Sequence, residues 1–291
     1  MQLEIPIVNA FVDDAKGGNP AGVVLNAQQY SKAQKMAIAA AVGLSETAFV
    51  SPSDVADFKL EFFTPTKQIA HCGHATVATF SYLRQIGKLP KDDTSKETID
   101  GKRQIFMAGE KAYMEQLAPS YVELSVEQET AVLNSLSIQP SDLLEGYHPT
   151  IVHTGNAFMV VPLKNEETVR TVHPDMDAIA KISEQFHLIG YYLFSPDTND
   201  KSRDAGTRMF APYYGIAEES ATGMAAGPLA GYLYDKIGQE KHEFWIEQGH
   251  FMTPAAPSVL HVKLNVEGGV IRSLMAGGKA TVSATKIIEI E

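Results

Sequence analysis

Glu61-Phe62-Phe63-Thr64-Pro65-Thr66-Lys67-Gln68-Ile69-Ala70-His71-Cys72-Gly73-His74-Ala75-Thr76-Val77-Ala78-Thr79-Phe80-Ser81-Tyr82-Leu83 reads as a strand, a proline turn, a polar corner and a helix. No Asp, Glu, Lys or Arg falls between Gly73 and Leu83, and Arg84 is the first. A helix uncharged all round is a buried helix. Its first turn carries unpaired N–H groups and the positive end of the dipole, which suit a carboxylate. His71, Cys72 and His74 cluster where such a ligand would sit. The stretch therefore predicts a buried helix aimed at a polar pocket.

Outward from it, Leu3 to Val12 reads as a strand, the run from Asp13 to Pro20 as a turn, and Ala21 to Leu25 as a second strand. Ser31 is an N-cap for a helix through Val42, with Gly43 as its stop. Ala48 to Ser51 and Phe58 to Phe63 read as strands. Residues 88–102 are polar and Pro-led, which predicts a surface loop. Gln104 to Ala108, Ala112 to Leu117 and Tyr121 to Leu124 read as short strands.

Past residue 125 the order repeats. Gly18-Asn19 and Val23-Val24 return as Gly155-Asn156 and Val160-Val161, and Ser51-Pro52 as Ser195-Pro196. Phe63 and Pro65 match Phe210 and Pro212; Gly73, Ala75, Tyr82 and Leu83 match Gly223, Ala225, Tyr232 and Leu233. The spacing between matches only grows along the chain, as loop insertions in the second copy would make it. The expected fold is α+β, with two homologous halves, each a mostly antiparallel sheet or barrel wrapped around one central buried helix. The halves are residues 1–120, completed by a last strand at about 280–291, and residues 121–279. Pro228 falls late for the first turn of the second helix, so an irregular start or a bend is expected there. Both helix N-termini are expected at an interdomain cleft, clamping a small carboxylate.

A net charge of −11 without a basic run argues against nucleic acid as a partner. One cysteine excludes an internal disulfide and suits a reducing compartment. The start, Met1-Gln2-Leu3-Glu4-Ile5, lacks a signal-peptide pattern, and the apolar run Met36 to Leu44 is too short for a bilayer. A cytoplasmic protein with no membrane partner is expected.

The chain resembles the PhzF family of phenazine biosynthesis-like isomerases, which share the fold of diaminopimelate epimerase. The resemblance spans nearly the whole chain. It rests on Gly18-Asn19-Pro20-Ala21-Gly22-Val23-Val24, Leu44-Ser45-Glu46-Thr47-Ala48-Phe49, Phe63-Thr64-Pro65 with Cys72-Gly73-His74-Ala75-Thr76, and Phe210-Ala211-Pro212 with Glu218, Thr222-Gly223 and Ala225. It implies a cofactor-independent homodimeric isomerase that moves a proton between carbons of a small amino or hydroxy carboxylate. The glutamate of the Ser-Glu-Thr motif, the family's general acid/base, falls on Glu46. Asn19, Gly73, His74, Glu219, Thr222, Gly223 and Met224 are the implied substrate-binding residues. Two positions depart from the family: Glu219 stands where Asp is usual, and Met224 where Ser is usual.

Leu44, Ala48 and Phe49 surround Glu46 with an apolar setting suited to proton transfer. Cys72 reads either as a small buried apolar residue or as a second base. In related epimerases a cysteine stands at each helix N-terminus, and here Thr222 occupies the second place. An amino-acid epimerase using Cys72, and a non-catalytic binding protein on the same fold, are therefore the alternative readings. His71, Cys72 and His74 lack a second ligand pair at zinc spacing, so no metal is expected. No Gly-x-Gly-x-x-Gly follows a strand, so no dinucleotide cofactor is indicated.

Overall fold

A computed structural model describes residues 2–14 and 16–289. Met1, Ala15, Ile290 and Glu291, which fall in the expected start, first turn and last strand, lie outside the described residues. The chain divides into two compact units: Met1–Glu115 with Gly277–Glu291, and Gln116–Ala276.

The first unit contains β1 (Gln2–Ala10), β2 (Asn19–Val24), α1 (Lys32–Val42), β3 (Thr47–Ser51), β4 (Phe58–Phe63), β5 (Gln68–Ile69), α2 (Gly73–Gln85), β6 (Asp93–Thr98), β7 (Gly101–Ala108) and most of β8 (Lys111–Leu117). The second holds β9 (Ser120–Glu123), α3 (Val126–Ser135), β10 (Thr150–His153), β11 (Ala157–Pro162), α4 (Glu166–Thr171), α5 (Met176–Phe186), β12 (Gly190–Ser195), β13 (Ala205–Ala211) and β14 (Ile216–Glu219). It continues through α6 (Gly223–Asp235), β15 (Glu243–Gln248), β16 (Ser258–Glu267) and most of β17 (Val270–Gly278). The last strand, β18 (Ala280–Glu289), returns to the first unit and pairs antiparallel with β1, Gln2 opposite Glu289.

The two units repeat one topology. β2 pairs parallel with β3 as β11 does with β12, and β4 runs parallel to β6 as β13 does to β15. Other equivalent pairs, among them β1–β2 with β10–β11, β3–β4 with β12–β13, β4–β5 with β13–β14 and β6–β7 with β15–β16, are antiparallel. The sheets are thus mostly antiparallel with two parallel pairs each, because each repeat contains two crossover connections: one carries α1 in the first unit and α4 with α5 in the second, and the other contains the buried helix.

α2 packs against β1, β2, β3 and β18, and every residue from Gly73 to Ser81 is buried. α6 packs against β10, β11 and β16. Gly227 on α6 leaves room for close approach: a Cβ there would stand 2.1 Å from Gln116 Oε1 and 2.6 Å from Leu274. The helix runs on through Pro228 to Asp235. α1 begins with Ser31 and Gln34 in a reciprocal capping box and stops at Gly43, whose φ of 69° needs a residue without a Cβ.

Residues 88–102 correct the loop expectation, because Asp93–Thr98 is strand β6 with Thr94, Ser95, Lys96 and Thr98 buried. These polar side chains tolerate burial because they find partners far away in sequence. Ser95 donates from its backbone N–H and its hydroxyl to Asp57, both at 2.8 Å.

Candidate active site

Glu46 follows the glycine stop of α1 and precedes β3. Its carbonyl accepts from Gly22 N at 3.3 Å, which fixes the backbone against β2. The side chain turns inward: the residue is 8% exposed, and Oε2 is fully buried without a hydrogen bond. That oxygen lies 3.3 Å from His74 Nε2.

Cys72 is the N-cap of α2, and its carbonyl accepts from Thr76 N at 3.3 Å and Thr76 Oγ1 at 2.6 Å. His74, 4% exposed, places its ring between two heads. Nδ1 is 3.6 Å from Cys72 Sγ on one side, and Nε2 faces the Glu46 carboxylate on the other. Burial pushes the Cys72 thiol up, opposed by His74 and reinforced by the Glu46 charge. At this helix N-terminus desolvation therefore outweighs the dipole, and the thiol stays protonated near neutral pH. One donor atom from each of Glu46, Cys72 and His74 lies within 4.8 Å of the other two.

Behind this trio sits a group that sequence reasoning placed in a loop. Lys96 of β6 is fully buried; its Nζ donates to Thr76 Oγ1 at 2.7 Å and stands 3.4 Å from His71 Nδ1. Burial lowers Lys96 to about 7. It also lowers His71 to about 3, helped by the Lys96 and Arg103 charges. The missed signal was Gly101, whose φ of 92° lets β7 begin directly after the two-residue turn Ile99-Asp100, with Thr98 opposite Gly101. Asn19 is buried at the start of β2 and is not one of the three clustered donors. Gly18 before it has φ of 81°, where a Cβ would strike Ala10 O at 2.7 Å.

In the second unit Thr222 is the N-cap of α6, the position equivalent to Cys72. Its hydroxyl donates to Glu219 Oε2. Gln248 on β15 organises this turn with three side-chain hydrogen bonds and ties it to Tyr192 on β12 with a fourth. Oε1 accepts from Thr222 N at 3.1 Å and Tyr192 OH at 3.0 Å, while Nε2 donates to Glu219 O at 2.7 Å and Thr222 Oγ1 at 3.2 Å. No motif marked Gln248, since a lone glutamine on a strand carries no spacing signal. Glu218 is engaged elsewhere, held by Arg208 Nε and Nη2 at 2.9 and 2.8 Å, so Glu219 is the carboxylate at the helix N-terminus. Met224 is half-buried, and its Sδ accepts from Asn156 Nδ2 at 3.5 Å. Gln116 Nε2 donates to Gly223 O at 2.9 Å.

Residues 8–285 match the family model described as PhzC-PhzF, phenazine biosynthesis-like protein. The chain is 34% identical over 239 residues to an uncharacterised isomerase, YddE, of Escherichia coli O157:H7, covering 80% of each. It is 30% identical over 234 residues to the trans-2,3-dihydro-3-hydroxyanthranilate isomerase of Pseudomonas chlororaphis, covering 78% of each. A Bacillus anthracis phenazine biosynthesis protein of the PhzF family superposes over 100% of both chains with a TM-score of 0.88 at 26% identity. With a buried carboxylate, imidazole and thiol gathered at the start of a buried helix, and with these relatives, the chain belongs to the phenazine biosynthesis-like PhzC-PhzF family and is an isomerase.

Proposed function

We propose that Glu46 is the general acid/base of a cofactor-independent isomerisation that moves a proton between carbons of a small amino or hydroxy carboxylate. The observation that carries this is the Glu46 carboxylate itself: buried, with one oxygen unsatisfied and 3.3 Å from His74 Nε2. Such an oxygen has no competing hydrogen bond to give up before it accepts a proton. Glu46 takes a proton from one carbon, the electron pair spreads through the adjacent unsaturation of the substrate, and the same proton returns at another carbon. His74 holds the carboxylate in place through Nε2 while its Nδ1 faces Cys72 Sγ. The first-turn N–H groups from Gly73 hold a substrate carboxylate and stabilise developing charge.

The family resemblance supports a substrate-binding role for Asn19, Thr222 and Gly223, and by position for Glu219 and Met224. The 30% identical hydroxyanthranilate isomerase supports a hydroxylated, unsaturated amino acid as the class of substrate. Glu219, a methylene longer than the usual Asp, and Met224, bulkier than Ser, favour a differently shaped member of that class. The family supports a homodimer, and the single cysteine suits a cytoplasmic setting. No helix among the described residues is long and apolar enough to cross a membrane. The epimerase reading is disfavoured by the protonated Cys72 and by Thr222 at the equivalent N-cap, which leave no pair of thiols.

Deuterium exchange from D₂O into a panel of amino and hydroxy acids tests the reading, wild type against Glu46→Gln. Wash-in at carbon falls by roughly 10²–10⁴-fold in the mutant if Glu46 is the base. Undiminished exchange in Glu46→Gln refutes the assignment. Ligand binding without exchange in the wild type would instead support the binding-protein alternative.

A further inference from the structure

The donors at this site also suit a ligand other than the substrate. Glu46 Oε2 and His74 Nε2 are 3.3 Å apart, Cys72 Sγ and His74 Nε2 are 4.0 Å apart, and all three donors fall within 4.8 Å of one another. Around a tetrahedral zinc-type ion with bonds of about 2.0–2.3 Å, ligand atoms stand about 3.3–3.7 Å apart. The sulfur–nitrogen pair needs to close by about half an ångström and the widest pair by about 1 Å to reach that scale. Glu46 Oε2 is also a buried oxygen that makes no hydrogen bond and has only the His74 Nε2 contact, and a cation between the two would satisfy both. A thiolate and a carboxylate together balance a divalent charge, and the sulfur–nitrogen pair selects zinc-like ions over magnesium or calcium. Sequence spacing hid the set because Glu46 arrives from a separate loop, 26 residues before Cys72.

We propose that Glu46, Cys72 and His74 form a three-ligand site for a thiophilic divalent cation, with a fourth position open to water. The Cys72 S–H loses its proton to solvent as the metal–sulfur bond forms, and no electrons are transferred. His74 binds through Nε2 in the tautomer that keeps its proton on Nδ1, facing the sulfur. Glu46 then spends its lone pair on the cation and cannot take a proton from carbon, so occupancy inhibits the enzyme; this consequence rests on the role proposed for Glu46. Buried Lys96 is the nearby cation that opposes occupancy, and desolvation already weakens its hold on a proton.

Chelator-treated full-length protein titrated with Co²⁺ is the test, read by the thiolate-to-cobalt charge-transfer band and the visible bands of tetrahedral cobalt. The expected result is saturation near one equivalent, bleaching by Zn²⁺, and loss of the charge-transfer band in Cys72→Ser. His74→Gln serves if the cysteine variant misfolds, and weakens Co²⁺ by more than the roughly 10–100-fold cost of losing an outer-shell partner. No charge-transfer band in the folded wild type, or one that persists in Cys72→Ser, overturns the site. Deuterium exchange falls in step with occupancy; exchange that continues in the saturated enzyme overturns the inhibition. Where no compound exchanges in the metal-free protein, the functional reading fails while the cobalt spectrum still decides the site.

Discussion

Lys96→Met stabilises the first unit, by an amount that depends on pH in a defined direction. Burial lowers the amine from 10.5 to about 7 in the folded state. Between those values the unfolded chain holds a proton that the native state does not, so ν_U exceeds ν_N and native stability rises with pH. Below pH 7 both states are protonated, and the full penalty, about 5 kcal/mol at 1.36 kcal/mol per unit, is present and constant. At pH 8 the remaining gap of about 2.5 units leaves about 3 kcal/mol. Methionine removes that penalty and loses the hydrogen bond to Thr76, worth about 1 kcal/mol. Thr76 Oγ1 keeps its own bond to the Cys72 carbonyl, so no buried polar atom is orphaned there.

The net gain is about 2 kcal/mol at pH 8 and shrinks to about 1 kcal/mol at pH 9, in line with other buried charges replaced by apolar residues. His71, lowered to about 3, is neutral in both states across this window and does not contribute to the slope. Urea unfolding of both proteins at pH 7, 8 and 9 measures the difference, and 2 kcal/mol moves the midpoint by about 1 M at an m-value near 2. A variant less stable than wild type at pH 8, or a difference that does not shrink toward pH 9, refutes the reasoning.

With Glu46 as the base, as proposed, Cys72→Ser keeps deuterium exchange within roughly 10-fold of wild type; a loss of 10²-fold or more would instead mark a thiol mechanism. Gln248→Leu removes the three bonds to the Glu219–Thr222 turn and the one to Tyr192, and lowers stability by about 2–4 kcal/mol in urea unfolding. Gly227→Ala drives a methyl into Gln116 and Leu274 and costs about 1–3 kcal/mol by the same assay, with no loss expected at a position that could yield freely.

Local signals carried much of this architecture. Ser31 and Gly43 bound α1 because capping is a matter of neighbours in sequence. The uncharged run from Gly73 announced α2, and the ordered matches between halves announced the repeated topology. The parts that stayed hidden depend on distant partners. β6 looked like a loop because Ser95 and Lys96 are polar, and only Asp57 and Thr76, brought alongside by the fold, make their burial tolerable. The Glu46 motif was legible as a motif. That its carboxylate reaches His74, and that His74 also reaches Cys72, follows from how the end of α1 meets the start of α2. Gln248 was invisible for the same reason, since its importance lies in four bonds to residues elsewhere in the chain.

The pairing of β1 with β18 bears on how the protein is made. Every strand and helix of the second unit comes from one uninterrupted segment, Gln116–Ala276, whereas the first unit needs both Gln2–Ala10 and Ala280–Glu289. As the chain leaves the ribosome, the later segment can close its core while the earlier one still lacks an edge partner for β1. The usual order of emergence is thereby inverted, and the unit that carries Glu46, Cys72 and His74 is the last to be completed. During that interval β1 is an open strand edge, and the nascent chain is then most exposed to mispairing and to capture by a chaperone.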